Sequence, residues 1–84
     1  MNRKEIRVTY GETVKVTNDW AAECEKRGTS VSSSAWIGFP VTGEALTSNV
    51  ATASMSASYN GTVRNTVTLA NGEVLIADRD VWVK

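Results

Sequence analysis

Apolar and polar residues alternate along two neighbouring runs at residues 62–84, and the runs meet at Ala70-Asn71-Gly72-Glu73. Alternation with a period of two is typical of strands that bury one face. Asn-Gly is a strong signal for a two-residue hairpin, because both residues tolerate the positive φ of a type I′ turn. Residues 62–84 are therefore predicted to form a β-hairpin that organises the rest of the chain.

The position of the turn fixes the register of this hairpin. A two-residue turn at Asn71-Gly72 places Leu69 opposite Val74 and leaves Val81 and Val83 on the polar face. We therefore expect a β-bulge at residues 78–80, because a bulge returns the later side chains to the core face. The inward residues of the hairpin are then Val63, Val67, Leu69, Val74 and Ile76.

Shorter alternating runs before the hairpin predict further strands at residues 6–10, 13–17, 29–37 and 50–59. Residues 38–44 are expected to be a loop or an irregular edge, since Pro40 cannot donate a ladder hydrogen bond. Residues 45–49 are expected to continue that connection. The run at 50–59 turns small side chains inward, which implies a bulky tryptophan opposite them. These inward residues are Ala51, Ala53, Met55 and Ala57.

One passage has the pattern of a helix. Asn18-Asp19 can cap its start and Gly28 can close its end. Trp20 and Cys24 lie four residues apart, so they share one side of a helix, which we expect to be buried. We predict a short helical turn near residues 19–27.

Together these elements predict an all-β fold of about six or seven short strands, in a small antiparallel β-sandwich. An open barrel of similar strand number is the alternative. A chain of 84 residues has room for a single domain, 1–84. Residues 1–5 are polar and basic, and we expect a flexible or partner-docked arm there.

Charge and composition narrow the classes of partner. Nine basic and nine acidic residues cancel, which argues against nucleic acid as a partner and gives no attraction to a membrane surface. No apolar run is long enough to cross a membrane. Cys24 is the only cysteine, so the fold is not held by an internal disulfide.

The sequence lacks the residues that most catalytic and metal sites use. It contains no histidine, the usual general base and the commonest metal ligand. Asp78-Arg79-Asp80 offers too few oxygens for calcium. We therefore expect a protein that is not an enzyme, with no catalytic residue, no cofactor and no metal.

Two aromatic residues stand where a partner protein could reach them. Phe39 precedes Pro40 in a Gly/Pro segment, and Trp82 is out of phase with its apolar neighbours. An aromatic side chain on a loop or an edge is typical of an interface anchor. The predicted interface residues are Phe39, Pro40 and Trp82, with Arg3 and Lys4 of the basic arm.

The order of short motifs along residues 8–83 resembles small Ig-like virion structural proteins of tailed bacteriophages. In that family a strand runs into an Asp-Trp segment and a helical turn that ends at glycine, and a strand with a tryptophan follows. The motifs that carry the resemblance are Val14 to Trp20, Gly28-Thr29-Ser30-Val31, Ser34-Ala35-Trp36, Asn60-Gly61-Thr62, Asn65-Thr66-Val67-Thr68 and Asn71-Gly72.

The resemblance implies an Ig-like sandwich and a location in the virion, assembled in the host cytoplasm. Such a protein docks in multiple copies on a protein surface of the particle, as a head decoration protein or a tail-fibre adaptor. Its partners would be capsid, portal or tail proteins, with self-association on the particle also compatible. The alternative is a carbohydrate- or host-surface-binding module, in which Phe39, Tyr59 or Trp82 forms an exposed stacking platform.

Overall fold

The computed structural model describes residues 5–84, which form one short helix and seven strands arranged in two sheets. The all-β sandwich predicted from the alternating pattern is confirmed. Of the predicted arm at residues 1–5, only Glu5 is described, and it begins the first strand. The elements are β1 (Glu5–Val8), β2 (Thr13–Asp19), α1 (Ala21–Arg27), β3 (Val31–Ile37), β4 (Val41–Thr47), β5 (Val50–Ser56), β6 (Gly61–Leu69) and β7 (Val74–Val83).

The strands divide into a four-stranded sheet in the order β1-β7-β6-β3 and a three-stranded sheet in the order β2-β5-β4. One pairing departs from the predicted antiparallel arrangement: β1 runs parallel to β7, with Ile6 opposite Val81. The reason is that β1 and β2 belong to different sheets. A strand that is not joined to its neighbour by a hairpin is free to pair in the parallel direction.

The predicted two-residue turn at Asn71-Gly72 is wrong. The backbone N–H of Leu69 donates to Glu73 O at 2.8 Å, and Gly72 N–H donates to Leu69 O at 2.9 Å, so residues 70–72 form a three-residue loop. Only Gly72 has a positive φ, at 94°, as in loops that end in a left-handed glycine. Asn71 instead accepts a hydrogen bond from Glu73 N–H on its Oδ1, at 3.0 Å, which holds the turn through the side chain.

The longer loop moves the register of β7 by one residue. Val67 lies opposite Leu75, so Val74 and Ile76 point outward and are 56% and 54% exposed. Their predicted place in the core is therefore wrong. Val81 is 1% exposed, although the pairing of β6 with β7 shows no register shift. The predicted bulge at residues 78–80 is absent, because the extra loop residue already makes the change of face.

A two-residue turn with positive φ occurs elsewhere, between β4 and β5. Ser48 and Asn49 have φ of 48° and 68°, and Thr47 pairs with Val50. Asn49 O accepts from Trp20 N–H at 2.8 Å, and Asn49 Oδ1 accepts from Val31 N–H at 2.9 Å. These contacts with distant parts of the chain fix a turn that local sequence signals do not reveal.

β4 combines a correct and an incorrect prediction. Its pairing with β5 shifts between Thr42 and Ala45, so the predicted irregular edge is present. Residues 45–49 are not merely a connection, because Ala45 to Thr47 continue the strand. The inward residues of β5 lie in the core as predicted, and their exposures are Ala51 0%, Ala53 1% and Met55 0%; Ala57, which follows the strand, is 5% exposed.

The helix α1 crosses from one sheet to the other, between β2 and β3. Asp19 Oδ1 accepts a hydrogen bond from Ala21 N–H at 2.9 Å, and the left-handed Gly28 ends the helix. Trp20 and Cys24 are 8% and 1% exposed. The predicted buried side of this helix is confirmed.

Candidate interaction surface

The outer face of the four-stranded sheet carries exposed apolar side chains. Val74 and Ile76 lie on β7, and Ile37 lies on the edge strand β3, on the other side of β6, and is 56% exposed. Arg64 and Asp78 face each other on the same side of the sheet, with Arg64 Nε 2.8 Å from Asp78 Oδ1. We call this surface the outer face and define it by Ile37, Arg64, Val74, Ile76, Asp78 and Trp82.

The ion pair between Arg64 and Asp78 in the outer face is bidentate. Arg64 also donates from Nη2 to Asp78 Oδ2 at 3.1 Å. The hydrogen bond and the charge of Asp78 raise the pKa of Arg64 above its usual value. A bidentate pair of this kind is held in one geometry, so it presents fixed hydrogen-bonding groups between apolar neighbours.

Trp82 stands at the far end of the outer face. Its side chain is 46% exposed, as the sequence predicts, and Arg7 of β1 lies beside it in the register. A cavity of about 350 Å³ adjoins the ring, lined by Asn60, Gly61, Thr62, Asp80, Val81 and Trp82. Asn60 Oδ1 accepts from Val83 N–H at 2.7 Å, which ties this rim to β7.

The other predicted interface residues differ in whether they are exposed. Phe39 is 6% exposed, so it belongs to the core and its ring is not presented by a loop. The ring stacks on Tyr59 with centroids 4.8 Å apart, while Pro40 beside it is exposed. Arg3 and Lys4 lie outside the described residues. Of the predicted set, Trp82 and Pro40 are the ones that the structure places on the surface.

A second surface lies at one end of the sandwich. A groove of about 290 Å³ is lined by Tyr10, Gly11, Glu12, Pro40, Ser56, Ala57, Ser58 and Tyr59. Tyr10 is 69% and Tyr59 is 53% exposed. The hydroxyl of Tyr59 donates to Gly38 O at 2.9 Å, so hydrogen bonding and stacking both restrain this ring.

The interior contains a polar cluster that sequence reasoning missed. Asn65 of β6 is fully buried, and its Oδ1 accepts from Asn18 Nδ2 at 3.1 Å and from Trp20 Nε1 at 2.9 Å. Its Nδ2 donates to Ser34 Oγ at 2.8 Å and to Ala35 O at 3.0 Å. The signal was present in the sequence, because Asn65 interrupts an inward row between Val63 and Val67.

Arg79 extends this cluster towards the surface. Its Nη2 donates to Thr17 O at 2.6 Å and to Asn18 Oδ1. Partial burial lowers the pKa of Arg79 from its usual value, yet a guanidinium remains charged. A cleft of about 470 Å³ opens beside it, with Trp20 and Ala77 among its walls. Because both hydrogen bonds reach β2, we assign Arg79 to joining the two sheets.

Residues 5–84 contain no group of three or more side chains that could hold a metal ion. No helix in this part of the chain could span a membrane. Cys24 is a free thiol and is buried, and its side chain packs in the hydrophobic core.

No protein-family model matches the sequence, and no curated protein is significantly similar to it.

Proposed function

We propose that this chain is a non-enzymatic virion structural protein of a tailed bacteriophage. It docks in multiple copies on a protein surface of the particle, as a head decoration protein or a tail-fibre adaptor. The observation that carries the docking role is the outer face, where apolar side chains remain about half exposed. The bacteriophage assignment is supported by the motif order along residues 8–83.

The strand order supports an Ig-like assignment of the sandwich. In constant-type Ig domains one sheet contains strands A, B, E and D and the other contains C, F and G. Here β2-β5-β4 corresponds to B-E-D and β7-β6-β3 to G-F-C, with β1 added beside β7. Trp36 on β3 is buried like the tryptophan of strand C, and the Asn18–Asn65 hydrogen bond joins the strands that a disulfide joins in antibody domains.

The outer face has the composition of a protein contact. Interface cores are more apolar than the rest of the surface and are enriched in aromatic residues and arginine. This face contains Trp82, Ile76 and Arg64. The neutral chain is not repelled from a neutral lattice. If bound copies also contact their neighbours on a repeating surface, the overall binding is much stronger than that of one copy. Each single contact with the particle can therefore be weak.

Binding to particles tests this proposal directly. Purified protein is expected to co-sediment with expanded capsids or with tails at near-physiological salt. Trp82→Ala and Ile76→Ser should each weaken binding about tenfold, which corresponds to loss of about 1.4 kcal/mol of contact energy. Tyr10→Ala is the matched control, because it removes an exposed ring from the other surface. Absence of co-sedimentation with both particles contradicts the proposal.

The groove at Tyr10, Pro40 and Tyr59 favours a second candidate function, binding of carbohydrate on a host surface. Sugars stack on exposed aromatic rings, and the restrained Tyr59 offers such a ring at low entropic cost. Glu12 and Ser58 at the groove provide polar groups of the kind that orient a ligand. In this candidate Phe39 supports the platform from within the core and is not part of the exposed platform itself.

A glycan array separates the two candidates. If the second candidate holds, the intact chain binds a defined set of glycans, Tyr10→Ala abolishes the signal, and Trp82→Ala leaves it unchanged. Loss of the signal in Trp82→Ala alone would move the sugar site to the outer face. An array without signal rejects the second candidate.

A further inference from the structure

The described part of the chain has four strands at sheet edges, and three of them carry features that oppose pairing with another strand. Edge strands are commonly protected by charged residues, prolines or bulges. β1 contains Glu5 and Arg7, and β2 contains Lys15 and Asp19. β4 contains Glu44 and an irregularity between Thr42 and Ala45.

β3 lacks this protection along most of its length. Its sequence, Val-Ser-Ser-Ser-Ala-Trp-Ile, contains no charged residue and no proline. The pairing of β3 with β6 is irregular between Val31 and Ser33, and then runs without a shift from Ser33 to Ile37. On its other side β3 ends the sheet, so five consecutive residues of regular strand have an edge that no described strand covers.

We propose that this edge pairs antiparallel with β3 of a second copy of the chain, about a two-fold axis at Ala35. Self-pairing requires that each residue tolerates its own copy across the axis. Ala35 is small, exposed and uncharged, so it can face its copy at close range. Ser33 then lies opposite Ile37 of the second copy, and the exposed Ile37 gains cover on the outer face.

Charge favours a second copy as the occupant. The chain is neutral overall, and the central pair contains no ionised group, so no like charges oppose each other. Pairing would join two four-stranded sheets into one continuous sheet. A five-residue edge buries less than a standard interface of about 1,600 Å², so the dimer should be weak and dependent on concentration.

Analytical ultracentrifugation of the full chain tests the pairing. Wild-type protein is expected to shift from monomer to dimer as concentration rises. Ala35→Lys and Ala35→Glu should each remain monomeric, because each places like charges opposite one another, and an equal mixture of the two should recover the dimer. Thr42→Lys, which puts the same charge on the edge of the other sheet, should behave as wild type.

Three outcomes overturn the proposal: wild type that stays monomeric over the whole concentration range, dimers of Ala35→Lys equal to wild type, or a mixture that stays monomeric. Thermal unfolding of each variant accompanies the experiment, since the substituted side chain is exposed and the unfolding midpoint should barely change. This test does not depend on the proposed virion role, because it uses no particle.

Discussion

Asn65→Ala is expected to lower the free energy of unfolding by about 4 kcal/mol, among the largest effects of a single substitution in this chain. The side chain is fully buried and makes four hydrogen bonds to three other parts of the fold. Its removal leaves the indole N–H of Trp20 and the amide of Asn18 without their acceptor. Each buried unsatisfied group costs about 1–3 kcal/mol.

Urea unfolding followed by tryptophan fluorescence measures this effect. Thr66→Ala is the matched control, because Thr66 is the next residue of β6 and faces the other side of the sheet, and it should cost less than about 1 kcal/mol. Asn18→Ala together with Asn65→Ala should cost less than the sum of the single changes, because the two residues share a hydrogen bond. Equal losses for Asn65→Ala and Thr66→Ala would contradict the role of the cluster.

Gly38→Ala is expected to cost about 2–6 kcal/mol of unfolding free energy, from two sources that add. Gly38 has a φ of 106°, a backbone conformation that residues with a Cβ rarely adopt. Forcing alanine into it costs about 1–3 kcal/mol. A Cβ at this position would also lie 2.3 Å from the backbone O of Thr62. That oxygen belongs to β6, so relief of the contact requires a strand to move, at about a further 1–3 kcal/mol.

Gly72→Ala separates the two sources. Gly72 also has a positive φ, but a Cβ there meets nothing within 4 Å, so the backbone term acts alone and about 1–2 kcal/mol is expected. The difference between the two variants in the unfolding free energy reports the contact with Thr62. If both variants lose the same stability, the close approach of Gly38 to β6 is refuted.

Alternation of apolar and polar residues predicted most of the strands, because one face of each strand is buried and the other is exposed to solvent. The row of small residues on β5 and the pair Trp20 and Cys24 were placed correctly for this reason. The turn at Asn71-Gly72 was placed incorrectly, since two turn types accept Asn-Gly. The hydrogen bond that Asn71 Oδ1 accepts from Glu73 N–H favours the longer one. A one-residue difference in a turn then reverses the face of every residue in the following strand.

The candidate surfaces were predictable only where the strand phase alone decides exposure. Trp82 lies between the buried Val81 and the partly buried Val83. Its exposure was expected, although by way of a bulge that the structure lacks. Phe39 is buried by contacts with parts of the chain that are distant in sequence: its ring stacks on Tyr59, and a Cβ at Gly61 would lie 3.1 Å from it. Neither contact has a local signal, which is why a Gly/Pro segment suggested an exposed ring.

The placement of β7 between β1 and β6 has a consequence for how the chain acquires its shape during synthesis. A ribosome delivers β1 first and β7 only after every other strand, so β1 has no neighbour in its sheet until the final strand emerges. β3 and β6 can pair earlier, but the four-stranded sheet is completed only after β7 has been synthesised. Closure between β1 and β7 over so long a stretch of chain is slow compared with that of a local hairpin.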